Sequence, residues 1–153
     1  MLKTSKPNLV INQKIIQKLR DFLVAEEYDE IYKTLRWVQY HVDPWWDLKG
    51  FERMLWSLPR KKQMIFQLFY LGKKIPYSKV VYFIERYLID ELVKIRLLDI
   101  EKDLVKSNGF SIVPYRNSFF LVDLCYISPN ALRRAPEAYL GADSYICANY
   151  HII

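Results

Sequence analysis

His41, His151, Cys125 and Cys147 are the whole supply of imidazole and thiol in this 153-residue sequence, and their spacing limits what they do. His151 follows Cys147 at helical i, i+4 spacing, which would put both side chains on one helix face. A zinc-type site takes three or four such ligands, and two are too few. A Cys-His nucleophilic pair needs an orienting third group and an oxyanion site, and the sequence carries no signature of either. The two cysteines are neither spaced as a metal knuckle nor numerous enough for a disulfide framework. Reduced thiols in a cytoplasmic protein are therefore expected. Catalytic and metal-ligating residues are expected to be absent from this chain.

Paired carboxylates occur at Glu26-Glu27, Asp29-Glu30 and Asp90-Glu91. Each pair falls on a predicted helix beside lysine or arginine, so solvated faces with local ion pairs are expected rather than an acid/base dyad. Gly50, Gly72, Gly109 and Gly141 stand alone. Phosphate-cradling loops cluster their glycines to bring backbone amides close to a ligand, so no cofactor site is expected here.

Cations are the remaining chemistry. The net charge of +6 suits an anionic partner, and it is also an ordinary route to solubility. Its local runs are Arg60-Lys61-Lys62, Lys73-Lys74 and Arg133-Arg134. The first run opens a predicted helix, where cations oppose the helix dipole, so it is not placed for helix stability. A solvated cluster is the ordinary reading; contact with phosphate or with an acidic partner surface is the functional one. These residues are the candidate anion or partner contacts.

The elements that must position them follow from periodicity. Apolar residues at helical spacing predict helices over 10–27 (Ile11, Ile15, Leu19, Phe22, Leu23), 28–40 (Ile31, Leu35, Val38) and the stretch through Leu48, Phe51, Leu55 and Leu58. Asp43-Pro44 ends the second, and Trp45 and Trp46 are expected to anchor a loop. A further helix runs from Pro59 to Leu71 and stops at Gly72 with a left-handed cap. A short helix capped by Ser78 reaches Phe83, and another spans 85–95, burying Leu88, Ile89, Leu92 and Val93. Three helices in so short a span, the middle one short, form a helix-turn-helix pattern. Asn108-Gly109 is a hairpin-turn dipeptide, and 110–115 and 119–124 read as a β-hairpin turning at Arg116-Asn117-Ser118, the expected wing. Beyond it, 128–136 is a connector, and Asp143 is expected to cap a helix whose apolar end at Tyr150-His151-Ile152-Ile153 suggests a sequence cut inside a larger protein.

The segment from Leu68 to Leu124, with Leu68-Phe69-Tyr70-Leu71-Gly72 and Val113-Pro114-Tyr115, together with Tyr139-Leu140-Gly141-Ala142-Asp143-Ser144-Tyr145, carries a resemblance. It resembles the N-terminal region of bacterial class I S-adenosylmethionine-dependent methyltransferases, relatives of the release-factor glutamine methyltransferases. The resemblance covers somewhat under half the chain. It implies a winged-helix-like module ahead of a methyl-donor-binding sheet. The glycine-rich loop and the asparagine-proline-proline-tyrosine motif of those enzymes are missing, so the implied chain is a front end, and S-adenosylmethionine belongs to a downstream catalytic domain.

The expected fold is mainly α with a small β-hairpin: an N-terminal helical segment over 1–58, a winged-helix-like module over 59–127, and a connector with the start of a helix over 128–153. The expected function is noncatalytic substrate recognition, for a protein or small-molecule substrate, within a methyltransferase. The alternative is a freestanding winged-helix protein that binds RNA, DNA or a protein partner. Sequence-reading of DNA is disfavoured, because Glu85, Arg86, Asp90, Glu91 and Lys94 make the third helix's outer face more acidic than basic, and phosphate repels such a face. The wing adds only Lys106 and Arg116. No window has the about 18 uninterrupted apolar residues of a membrane span, and 1–8 lacks a signal core, so a soluble cytoplasmic protein is expected.

Overall fold

The computed structural model describes residues 9–41, 48–115 and 118–123. Its elements are α1 (Gln13–Ala25), α2 (Tyr28–His41), α3 (Leu48–Ser57), α4 (Arg60–Phe69), β1 (Ile75–Pro76), α5 (Tyr77–Phe83), α6 (Arg86–Lys94), β2 (Leu98–Glu101), β3 (Leu104–Ser107), β4 (Phe110–Tyr115) and β5 (Ser118–Asp123). The architecture is helical with two small antiparallel sheets, ordered β1-β3-β2 and β4-β5.

The helices lie where the apolar stripes put them. In α1, Ile15, Leu19 and Leu23 form the buried face, and the Asn12 side chain caps the first turn by accepting from the Ile15 amide at 3.3 Å. Ile11, expected inside this helix, precedes the cap and is exposed. The preceding residue explains this: the Val10 amide donates to the Ile95 carbonyl at 3.0 Å, which holds the chain extended against the end of α6. Between α1 and α2 the chain breaks sharply at Glu27, which has a left-handed φ of 54°. The expected cap at Ser78 is also corrected. Helix α5 starts two residues earlier, with Pro76 at the cap position and the Tyr77 amide taken by the Asp103 carbonyl at 2.7 Å.

The β structure departs further from expectation. Asn108-Gly109 is not the tip of a hairpin. Strand β3 is flanked by β2 and β1, pairing Ile100 and Ile75 with opposite edges of Val105, so it has no edge left for β4. The first hairpin instead turns at Lys102-Asp103, both left-handed (φ 49° and 62°), as a two-residue primed turn requires. Asn108 closes the end of α6: its amide reaches the Leu97 carbonyl at 3.0 Å and its side chain the Arg96 carbonyl at 3.1 Å. Gly109, at φ 87°, then redirects the chain into β4. The expected 110–124 hairpin is present as β4-β5, with Tyr115 opposite Ser118. One hairpin was expected and two are found, because nothing local marked Lys102-Asp103 as a turn.

One core joins these layers. Leu19 and Leu23 of α1, Tyr28 and Ile31 of α2, Leu55 of α3, Phe66 and Phe69 of α4, Leu92 of α6 and Val122 of β5 belong to the same buried cluster. The helices of the 1–58 segment therefore share a core with those that follow. A ladder of rings runs through it, with Phe66 stacked on Tyr70 at 4.5 Å and Tyr28 tilted against Phe66 at 5.9 Å. The expected Arg116-Asn117 turn, the Trp45-Trp46 connection, the 128–136 connector and the Asp143-capped helix lie outside the described residues.

Candidate functional site

The basic runs separate once the chain is folded. Arg60 is the first residue of α4 and is exposed. Lys61 reaches back to Glu26 at 2.5 Å, and Lys62 pairs with Glu27. Both acids sit at the α1–α2 break, so these lysines clamp that break onto α4, and the Glu26-Glu27 pair is taken by long-range partners rather than local ones. Lys61 and Lys62, named as candidate anion or partner contacts, thus already face carboxylates of their own chain. Lys73 is exposed beyond Gly72, whose left-handed φ of 60° lets the Lys73 amide return to the Gln67 carbonyl at 2.9 Å. Lys74 contacts Glu101 at 3.3 Å. Arg133 and Arg134 lie outside the described residues.

Glu101 is the centre of a small charge cluster on the β1-β3-β2 sheet. It accepts from Lys106 at 2.9 Å and from Lys74, and Lys106 also reaches Asp99 at 3.3 Å. The hydrogen bond from Lys106, then that from Lys74, holds the Glu101 carboxyl below the usual glutamate range. The hydrogen bond to Glu101 in turn raises Lys106 above the usual lysine range. Lys106, expected as a wing cation for phosphate, is thus engaged on its own sheet.

Three of the candidate cations converge. Arg60, Lys61 and Lys74 line one open groove of about 1200 Å³ between α4, β1 and α5. Two further residues that sequence reasoning passed over complete it: Lys79 and Tyr82, on α5. Their i, i+3 spacing puts them on one helix face, and that was the available signal. The Tyr82 ring is 80% exposed and meets Phe83 edge-on at 4.8 Å. The floor is apolar, with Met64 and Ile75 buried. Among the described residues, no aspartate or glutamate lines the groove. Among the described residues, Arg60 and Lys79 carry no ion pair. The arrangement offers cations and an exposed ring above an apolar floor.

The outer face of α6 has a different character. Glu85, Arg86, Asp90 and Lys94 are exposed, and Lys94 is spent on Glu91 at 2.5 Å. Helix α1 packs beside it, and the Lys18 ammonium sits 4.4 Å from the centre of the Tyr87 ring. The exposed face of α6 and its cap thus carries two acids and two bases, with no net positive charge, and another helix flanks it.

No family model matches the chain, and a search of curated proteins finds no match. Among the described residues, no helix is long and apolar enough to cross a membrane, and no three His, Cys, Asp or Glu side chains converge as metal ligands would.

Proposed function

We propose that residues 60–107 are a winged-helix module and that the chain is the noncatalytic recognition part of an S-adenosylmethionine-dependent methyltransferase. The observation that carries the reading is connectivity. Helix α4, strand β1, helices α5 and α6, and the β2-β3 hairpin follow in that order, with β1 added to the outside of β3. Three helices closed by such a sheet form a winged helix, with β2-β3 as its wing, one hairpin earlier than the sequence suggested. The resemblance of Leu68-Phe69-Tyr70-Leu71-Gly72 and Val113-Pro114-Tyr115 to methyltransferase front ends supports the rest; these segments lie at the end of α4 and on β4.

In this reading the module binds a protein or small-molecule substrate and presents it to a catalytic domain that holds the methyl donor. Duplex DNA is a poor partner, since the exposed face of α6 carries no net positive charge to draw phosphate. The test is the reading frame after Ile153. A strand followed within about 30 residues by a glycine-rich loop is the expected result. A stop codon directly after Ile153 overturns it. Calorimetry of the chain with S-adenosylmethionine gives no binding heat if the module is noncatalytic, and a saturable heat would reverse that assignment.

A further inference from the structure

We infer that the groove between α4, β1 and α5 is the docking site for an extended, acidic polypeptide segment with apolar side chains between its carboxylates. The inference deepens the recognition-module reading and rests on it. Its first support is charge complementarity. Among the described residues, Arg60 and Lys79 carry no ion pair and no acid lines the groove beside them. The groove's other two lysines are already paired within the chain, Lys61 with Glu26 at 2.5 Å and Lys74 with Glu101 at 3.3 Å, so the free positive charge of the groove is that of Arg60 and Lys79.

Size and floor add to this. At about 1200 Å³ the open groove exceeds the roughly 300–1,000 Å³ of small-molecule pockets. The exposed Pro59 and Pro76 and the half-buried Phe83 give an alternating peptide apolar surface to cover, and Tyr82 is a rigid amphipathic ring already outside the core. A nucleic-acid strand fits less well. Strand binding uses a track of cations and several stacking faces, whereas only Arg60 and Lys79 are uncommitted here and Tyr82 is the groove's one strongly exposed ring.

Fluorescence anisotropy with the full chain tests this, using a fluorescein-labelled peptide of alternating glutamate and leucine, a lysine-leucine counterpart and labelled oligouridylate. Expected are binding of the glutamate peptide that weakens with salt, and an affinity loss of about tenfold or more in Arg60→Glu/Lys79→Glu. Arg60→Lys/Lys79→Arg should bind as the parent does. Tyr82→Ala, at an exposed position, should weaken binding several-fold with the helical circular dichroism unchanged, which keeps the test valid if the charge-reversed variant misfolds. Absence of binding, equal binding of the lysine peptide, parental affinity in both the charge-reversed variant and Tyr82→Ala, or tighter binding of oligouridylate overturns the inference. None of these outcomes alters what the downstream reading frame shows, so the docking inference and the methyltransferase reading fail separately.

Discussion

The hydroxyl of Tyr28, at the start of α2, donates to the carbonyl of Ile112 on β4 at 2.8 Å, and the tyrosine is completely buried. This bond ties the N-terminal helices to the last hairpin across the core. A second buried bond, from the Ser111 hydroxyl to the Tyr70 carbonyl at 2.8 Å, ties the same strand to the end of α4. Tyr28→Phe keeps the ring and removes the donor, and should cost about 1–2 kcal/mol. Tyr28→Ala also opens a cavity and should cost about 3–5 kcal/mol. Urea unfolding followed by circular dichroism measures both.

The same tyrosine sets an alkaline limit. Burial first, then the neighbouring Tyr70 and Tyr32, raises its hydroxyl well above the usual tyrosine range. A raised value stabilises the fold fully below the unfolded tyrosine value of about 10 and loses that contribution as pH rises through the folded value. Stability should therefore fall above about pH 10, and less steeply in Tyr28→Phe, when denaturation midpoints are compared across pH.

The Lys61–Glu26 clamp spans separate helices and is partly shielded, with side-chain exposures of 39% and 17%. A double-mutant cycle through Lys61→Met and Glu26→Gln should give a coupling of about 0.5–1 kcal/mol that shrinks with added salt. A coupling near zero at low salt would mean that the pair positions the helices without stabilising them.

The first hairpin turns without glycine or asparagine. Lys102 and Asp103 both hold left-handed backbone. Replacing them by Asn-Gly removes a steric cost and should raise stability by about 0.5–1 kcal/mol, read as a higher urea midpoint with an unchanged slope. Arg96 is a parallel case. It sits left-handed (φ 63°) after α6, with the Leu97 amide on the Leu92 carbonyl at 2.9 Å, and Arg96→Gly should stabilise by a similar route.

Glu101 sets the acid side. Its lowered carboxyl contributes stability above the unfolded glutamate value of about 4.3 and loses it as pH falls through the folded value. Carboxyl NMR should place the Glu101 midpoint below about 4.3, and Lys106→Met should raise it more than Lys74→Met, since Lys106 is the nearer donor.

The sequence by itself determined the helices. Ile15, Leu19 and Leu23, or Leu88, Ile89 and Leu92, recur with the helix period because one face must leave water, and that requirement is written locally. Only the tertiary structure decided which strands pair and which charges are spent. Asn108-Gly109 has turn chemistry, yet β3 gives both its edges to β1 and β2, a choice made by hydrogen-bonding partners distant in sequence. Lys61 and Lys62 belong in sequence to the same run as Arg60. Folding sets Glu26 and Glu27 against those two, and leaves Arg60 beside Lys79 in the groove, because charge pairing depends on distance through space, which the order of residues does not encode.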